Sequence, residues 1–298
     1  RRWSPRSGQA CTPLGEDRPL LASWSPDGRH LVTGSHQGEL RIWSRETRES
    51  IALVGHEGEV NAAVFADAAT VASAGSDGTV RLWSLDGRQE RVFDGHAGSV
   101  ETVAVRPNGE IVSGGIDGAV RIWSRAREDS DLVVRHGERV TTLALTSDGR
   151  TIASASWDKT IRLHDRVTRS TRVLAGHRDV VSSIAFTEGD QLLASVSWDA
   201  TLRLWPVERD TARTIAAHRV GAKAVAVSPD GKLIASGGHD DLVRVWDAET
   251  GALRASFLGH RDHVFRVRFS PDGKLVASSS DDQTVRLWNV DSGEGRVL

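Results

Sequence analysis

Short apolar segments ending in Arg-x-Trp return along this chain at a nearly fixed interval. They read "LRIWS" at Trp43, "VRLWS" at Trp83, "VRIWS" at Trp123, "LRLWP" at Trp205, "VRVWD" at Trp246 and "VRLWN" at Trp288. One gap in the series is filled by "IRLHD", with His164 at the tryptophan position. The steps are 40, 40, 41, 41, 41 and 42 residues. Such a repeat constrains the fold more than any local signal. Each unit must be one supersecondary element that buries its apolar surface only against its neighbours.

Every unit follows one grammar. A histidine, usually after glycine, stands 27 or 28 residues before the tryptophan position, at His56, His96, His136, His177, His218 and His260. An alternating run such as "VETVAV" or "VSSIAF" follows, then a turn such as the "SPDG" of 25–28, 228–231 and 270–273. A second run leads to a turn topped by aspartate, and the Arg-x-Trp strand comes next. Strict alternation broken by Asp-Gly and Asn-Gly turns predicts antiparallel hairpins. Four short strands per unit, repeated around a ring, leave only short sheet edges. The expected fold is all-β, a seven-bladed β-propeller with four antiparallel strands per blade. We expect one domain over 1–298, with units at 15–54, 55–94, 95–134, 135–175, 176–216, 217–258 and 259–298. Trp3 stands 40 residues before Trp43, so residues 1–14 are expected to supply an outer strand that closes the ring.

The Gly-His … Ser-x-x-x-Asp … Arg-x-Trp pattern resembles the WD-repeat family over residues 15–298, although only Trp246-Asp247 spells the eponymous dipeptide. The resemblance implies a hydrogen-bonded tetrad in each blade. It assigns His56, Ser73, Asp77 and Trp83 to the second unit, and His96, Ser113, Asp117 and Trp123 to the third. The fourth has His136, Ser154 and Asp158, with His164 in place of tryptophan. The fifth has His177, Ser195, Asp199 and Trp205, and the sixth His218, Ser236, Asp240 and Trp246. The seventh has His260, Ser278, Asp282 and Trp288. The first keeps Thr33 and Trp43, but has Gln37 for the aspartate and Glu16 near the histidine position. The chemistry is self-consistent: a carboxylate accepts from imidazole, and a hydroxyl links imidazole to the indole N–H.

The same repetition disposes of the most catalytic-looking stretch, "SASWDKTIRLHDR" at 154–166, which gathers Ser154, Asp158, His164 and Asp165 around Trp157. A catalytic triad is needed once, in a cleft, whereas these residues have counterparts in every unit. We therefore expect no enzyme and no catalytic residues. The histidines are spread one per blade and there is no Gly-rich phosphate loop, so neither a metal site nor a cofactor is expected. His164 is expected to be a satisfied core histidine. Seven arginines two residues before the tryptophan position (Arg41, Arg81, Arg121, Arg162, Arg203, Arg244, Arg286) read as solvated, with stems packed on their neighbours.

Composition narrows the partners. Net charge is −2, so no global field attracts nucleic acid or an anionic membrane. No apolar run approaches the ~20 residues of a membrane helix. Cys11 is the only cysteine, which excludes an intramolecular disulfide. The chain contains no methionine and reads as a piece of a longer polypeptide. A cytoplasmic compartment is expected, with a monomeric isolated domain.

Information about function lies in what the repeat does not require. The resemblance places the turn before each aspartate, and the start of each first strand, on the wider rim. Trp157, Trp198, Ile116 and His239 occupy that turn, and Arg139, Lys223, His263 and Phe265 the strand starts. Aromatic residues with arginine are the composition of binding hot spots. The expected function is a non-catalytic protein–protein interaction module that binds a peptide or protein on this rim. It would be the scaffold or sensor of a larger multidomain signalling protein, in the style of bacterial chains with "SPDGKLIASGG" units. The alternatives are single-stranded nucleic-acid binding through the rim tryptophans, and, last, an enzyme using the channel.

Overall fold

The structure, a computed structural model, describes residues 19–35, 37–127 and 129–298. The expected closing strand of 1–14, with Trp3 and Glu16, lies outside the described residues. The described chain is all-β, a seven-bladed β-propeller in which each blade is a four-stranded antiparallel sheet. The sheets span residues 19–53, 60–93, 100–135, 140–174, 181–216, 222–257 and 264–297, each built from consecutive strands. Among the described residues the one helical piece is a 3-10 turn at Glu188–Asp190. The seventh sheet takes its fourth strand, Gly295–Val297, from its own end of the chain.

The third sheet shows how sequence becomes blade. Val100–Val105, Ile111–Gly115, Ala119–Trp123 and Ser130–Arg135 pair in order as a meander. The small, alternating second strands are buried along most of their length, so they run through the middle of each sheet. The "SPDG" turns close the first hairpins chemically. Ser228 Oγ donates to Asp230 at 2.6 Å and accepts from the Leu233 N–H at 2.9 Å, while Gly231 takes φ +71. That left-handed angle strains any residue with a Cβ.

Tryptophan packs between blades rather than within one. Trp123 lies in a cluster with Leu82, Phe93 and Ile111, and Trp288 in one with Val243, Val245 and Phe257. Each ring thus covers the third and fourth strands of the preceding blade, which is why a unit cannot be stable alone.

Every first strand also carries a register irregularity near its start. Val60 pairs with Gly75 and Ala62 with Ala74, leaving Asn61 as the extra residue. The equivalent extra residues of the sixth and seventh sheets are Lys223 and Phe265. A bulge re-aims its side chain, so these two positions are free to vary in chemistry.

The described residues divide into two compact units. One holds 19–156 with Leu163–Thr171; the other holds Trp157–Arg162 with Arg172–Leu298.

Candidate functional site on the rim of one unit

The tetrads underlie the site, because they hold the turns on which it stands. In the second, third, fifth, sixth and seventh blades the histidine Nδ1 lies 2.9, 3.0, 3.0, 2.6 and 2.8 Å from its aspartate. Nε2 lies 2.7, 2.7, 2.7, 2.9 and 2.7 Å from the serine Oγ. The indole N–H donates to the same serine at 2.8, 2.7, 2.8, 2.9 and 2.8 Å. One proton order satisfies every atom: Nδ1–H donates to the carboxylate, Nε2 accepts the serine O–H, and the serine oxygen accepts the indole N–H.

Burial pushes the imidazoles of His56, His96 and His177 below the usual range, outweighing the attraction of their aspartates. Burial pushes the Asp77 carboxyl up, but hydrogen bonds from His56, Thr79 and the Glu57 backbone outweigh it and hold it at about 2. The carboxyls of Asp199, Asp240 and Asp282 are likewise held well below the carboxylate range. These histidines are neutral and their aspartates ionised, as a structural network needs.

Two blades depart. In the first, the Trp43 indole donates to Thr33 Oγ1 at 2.9 Å, as expected from the two members present. In the fourth, His136 Nε2 and Ser154 Oγ are 2.8 Å apart, and Asp158 caps its own turn through the Thr160 N–H and O–H at 3.0 and 2.6 Å. His164 is buried, with Nδ1 2.9 Å from Thr171 Oγ1. Its Nε2 has no partner among the described residues, so the expectation of a satisfied histidine is half wrong. An imidazole is too short to bring a donor to Ser154 as indole does.

The arginines also correct the sequence reading. All seven are half-buried rather than solvated. Arg81 and Arg244 donate to Asp77 and Asp240 at 3.2 and 2.8 Å, and Arg203 and Arg286 lie 5.8 and 5.7 Å over the rings of Trp205 and Trp288. In these four blades the repeated arginine packs against a member of the tetrad.

Beside these turns, within one unit, six of the eight rim candidates come together. Trp157 and Trp198 lie 5.6 Å apart at 60°, and Trp198 lies 6.1 Å from His239. His239 stacks on His263 at 4.4 Å. Lys223 Nζ sits 5.5 Å over both the Trp198 and Phe265 rings, a bulge cation between two π faces. The backbone is fixed beneath them: the N–H groups of Trp198, His239 and Asp281 donate to the carbonyls of Val180, Gly221 and His263 at 3.0, 2.8 and 3.0 Å. Trp157 keeps 38% of its surface exposed, and Phe265 the same. Ile116 and Arg139 belong to the other unit, where both are exposed.

Charge within the belt is mixed. Burial lowers the His239 imidazole, helped by His263 and Lys223. Burial and Arg266 lower the Lys223 ammonium, against the pull of Asp281. Asp262, His263 and Asp281 bring ligand-bearing atoms within 4.8 Å of one another, a grouping that reading one histidine per blade misses. Both carboxylates are exposed, and Asp262 Oδ1 already accepts from the His263 N–H. Sequence reasoning also missed Trp24, 56% exposed at the end of the first strand in the other unit. Its place before the "SPDG" turn was the available signal.

Comparison with known proteins agrees with this geometry. The family model described as "WD domain, G-beta repeat" matches residues 21–44, 48–84, 87–124, 131–165, 168–206, 209–247 and 251–289. A search of curated proteins finds no match. Among the described residues no helix is long and apolar enough to cross a membrane. With seven matched repeats over most of its length and five complete tetrads, the chain belongs to the WD-repeat family of β-propellers.

Proposed function

We propose that this chain is a non-catalytic interaction module that docks a peptide or protein on the belt of Trp157, Trp198, Lys223, His239, His263 and Phe265. WD-repeat propellers are generally protein-interaction scaffolds, and that supports the class of function. The observation that carries the location is the contiguity of the belt. Six side chains that the repeat does not demand touch in sequence, on a backbone that hydrogen bonds hold in place. Pre-ordered aromatic side chains bind at low entropic cost. A role as the sensor or scaffold of a larger cytoplasmic, bacterial signalling protein is the biological setting we propose for it.

The test is affinity capture of a partner, followed by titration of Trp157→Ala and Trp198→Ala. Each is expected to weaken binding at least about tenfold, as truncating a central interface tryptophan does, with the melting temperature unchanged. Arg91→Ala, on an outer strand, should bind as the parent does. Equal affinity of both tryptophan variants overturns the proposal. A steep fall of affinity with salt would instead favour single-stranded nucleic acid stacking on the tryptophans.

A further inference from the structure

We propose that the fourth blade carries a binding site for a small aryl carboxylate, seated where the indole of the repeat is missing. A cavity of about 380 Å³ opens here, lined by residues 130–133, His164, Arg166 and Arg169. Its origin is legible in the packing. In the third and seventh blades the tryptophan ring at this step covers the preceding blade's outer strand; Trp123 lies 5.4 Å from Phe93, and Trp288 stacks 5.3 Å from Phe257. Phe93 and Phe257 pair with Val80 and Val243, and the residue pairing with the corresponding Val120 is Val134. The same step carries Leu53 in the first sheet and Ile215 in the fifth, so what sets the fourth blade apart is the indole, replaced by His164.

The lining then states what fits. Leu132, Val133 and the imidazole of His164 offer an apolar wall for a flat ring. Arg166 and Arg169 supply cationic donors suited to a carboxylate. Arg166 is 3.8 Å from Asp131, which also pairs with Arg127 at 3.1 Å. Arg169 has no carboxylate partner among the described residues, and its left-handed turn conformation, φ +57, is shared by Arg48 at the same step of the repeat. On the same wall, His164 is 4% exposed and leaves Nε2 without a partner. A buried polar atom left so is costly unless something meets it. A ring with one carboxylate supplies the missing apolar volume and the missing counter-charge together. A bare anion supplies only the second.

The experiment is calorimetric titration of the chain with 2-naphthoate, using acetate and 2-naphthol as controls. Saturable binding of naphthoate is expected, with each control at least about tenfold weaker, because each lacks either the ring or the charge-assisted hydrogen bonds. His164→Trp rebuilds the repeat and should abolish binding. Arg169→Gln, at an exposed position, should weaken it about tenfold without altering the fold, and it decides the matter alone if His164→Trp does not fold. Undiminished binding by either variant, acetate binding as tightly as naphthoate, or no heat at millimolar probe overturns the proposal.

Discussion

In the third blade Trp123 is buried, donates to Ser113 at 2.7 Å and lies against Phe93; in the fourth, His164 stands at the same step of the repeat and Val134 at the step of Phe93. The histidine–serine link survives in both, at 2.7 Å in one and 2.8 Å in the other. The tetrad is therefore two separable devices. Histidine and serine staple the blade's own loop to its second strand. Tryptophan is chiefly a wedge between blades, whose N–H must be satisfied because the wedge is buried. A blade can lose the wedge and keep the staple, and what it gains is a cavity.

The strongest way to break this contrast is to impose the fourth blade on the third. Trp123→His should cost about 3 kcal/mol, within the range for truncating a buried aromatic residue, and denaturant melting would measure it. A cost under about 1 kcal/mol would mean that the wedge is dispensable everywhere.

Acid should act next, through the staples that both blades keep. The histidines with lowered values in the fold contribute stability that is complete above about 6.5 and falls as pH drops below it. Asp77, held at about 2, contributes stability present above the normal carboxylate range and lost as pH falls toward 2. Both act in the same direction, so the melting temperature should fall continuously from pH 7 to pH 3. Asp77→Asn should lose about 1 kcal/mol at pH 7, after discounting for solvent at the turn, and flatten the lower part of that curve. A melting temperature independent of pH would remove the ionised aspartate from the account.

The smallest effect is the reverse transplant. His164→Trp fills the cavity and lets an indole N–H reach Ser154, and a gain of about 1 kcal/mol, or 2–4 °C in melting temperature, is expected. Loss of stability would show that the fourth blade has repacked around its histidine.

Much of this was legible without coordinates. The spacing of Arg-x-Trp and Gly-His dictates seven meanders, because period-two strands with turn residues at fixed offsets have few other ways to bury tryptophan at every step. The tetrad assignments of five blades followed from the resemblance to WD-repeat chains, carried from unit to unit by the fixed offsets of the repeat. The same resemblance named the rim candidates but not their grouping. That Trp157, Trp198, His239, His263 and Lys223 form one belt, while Ile116 and Arg139 stand in the other unit, depends on distances between blades that no spacing encodes. Likewise the substitution of histidine for tryptophan at 164 is visible as a letter. Its consequence, a cavity beside an orphaned nitrogen, depends also on the strand at 130–133 that forms the other wall. Local pattern selects the blade because backbone hydrogen bonds and alternation are short-range; volume is shared between blades, so only the packed fold decides where it is missing.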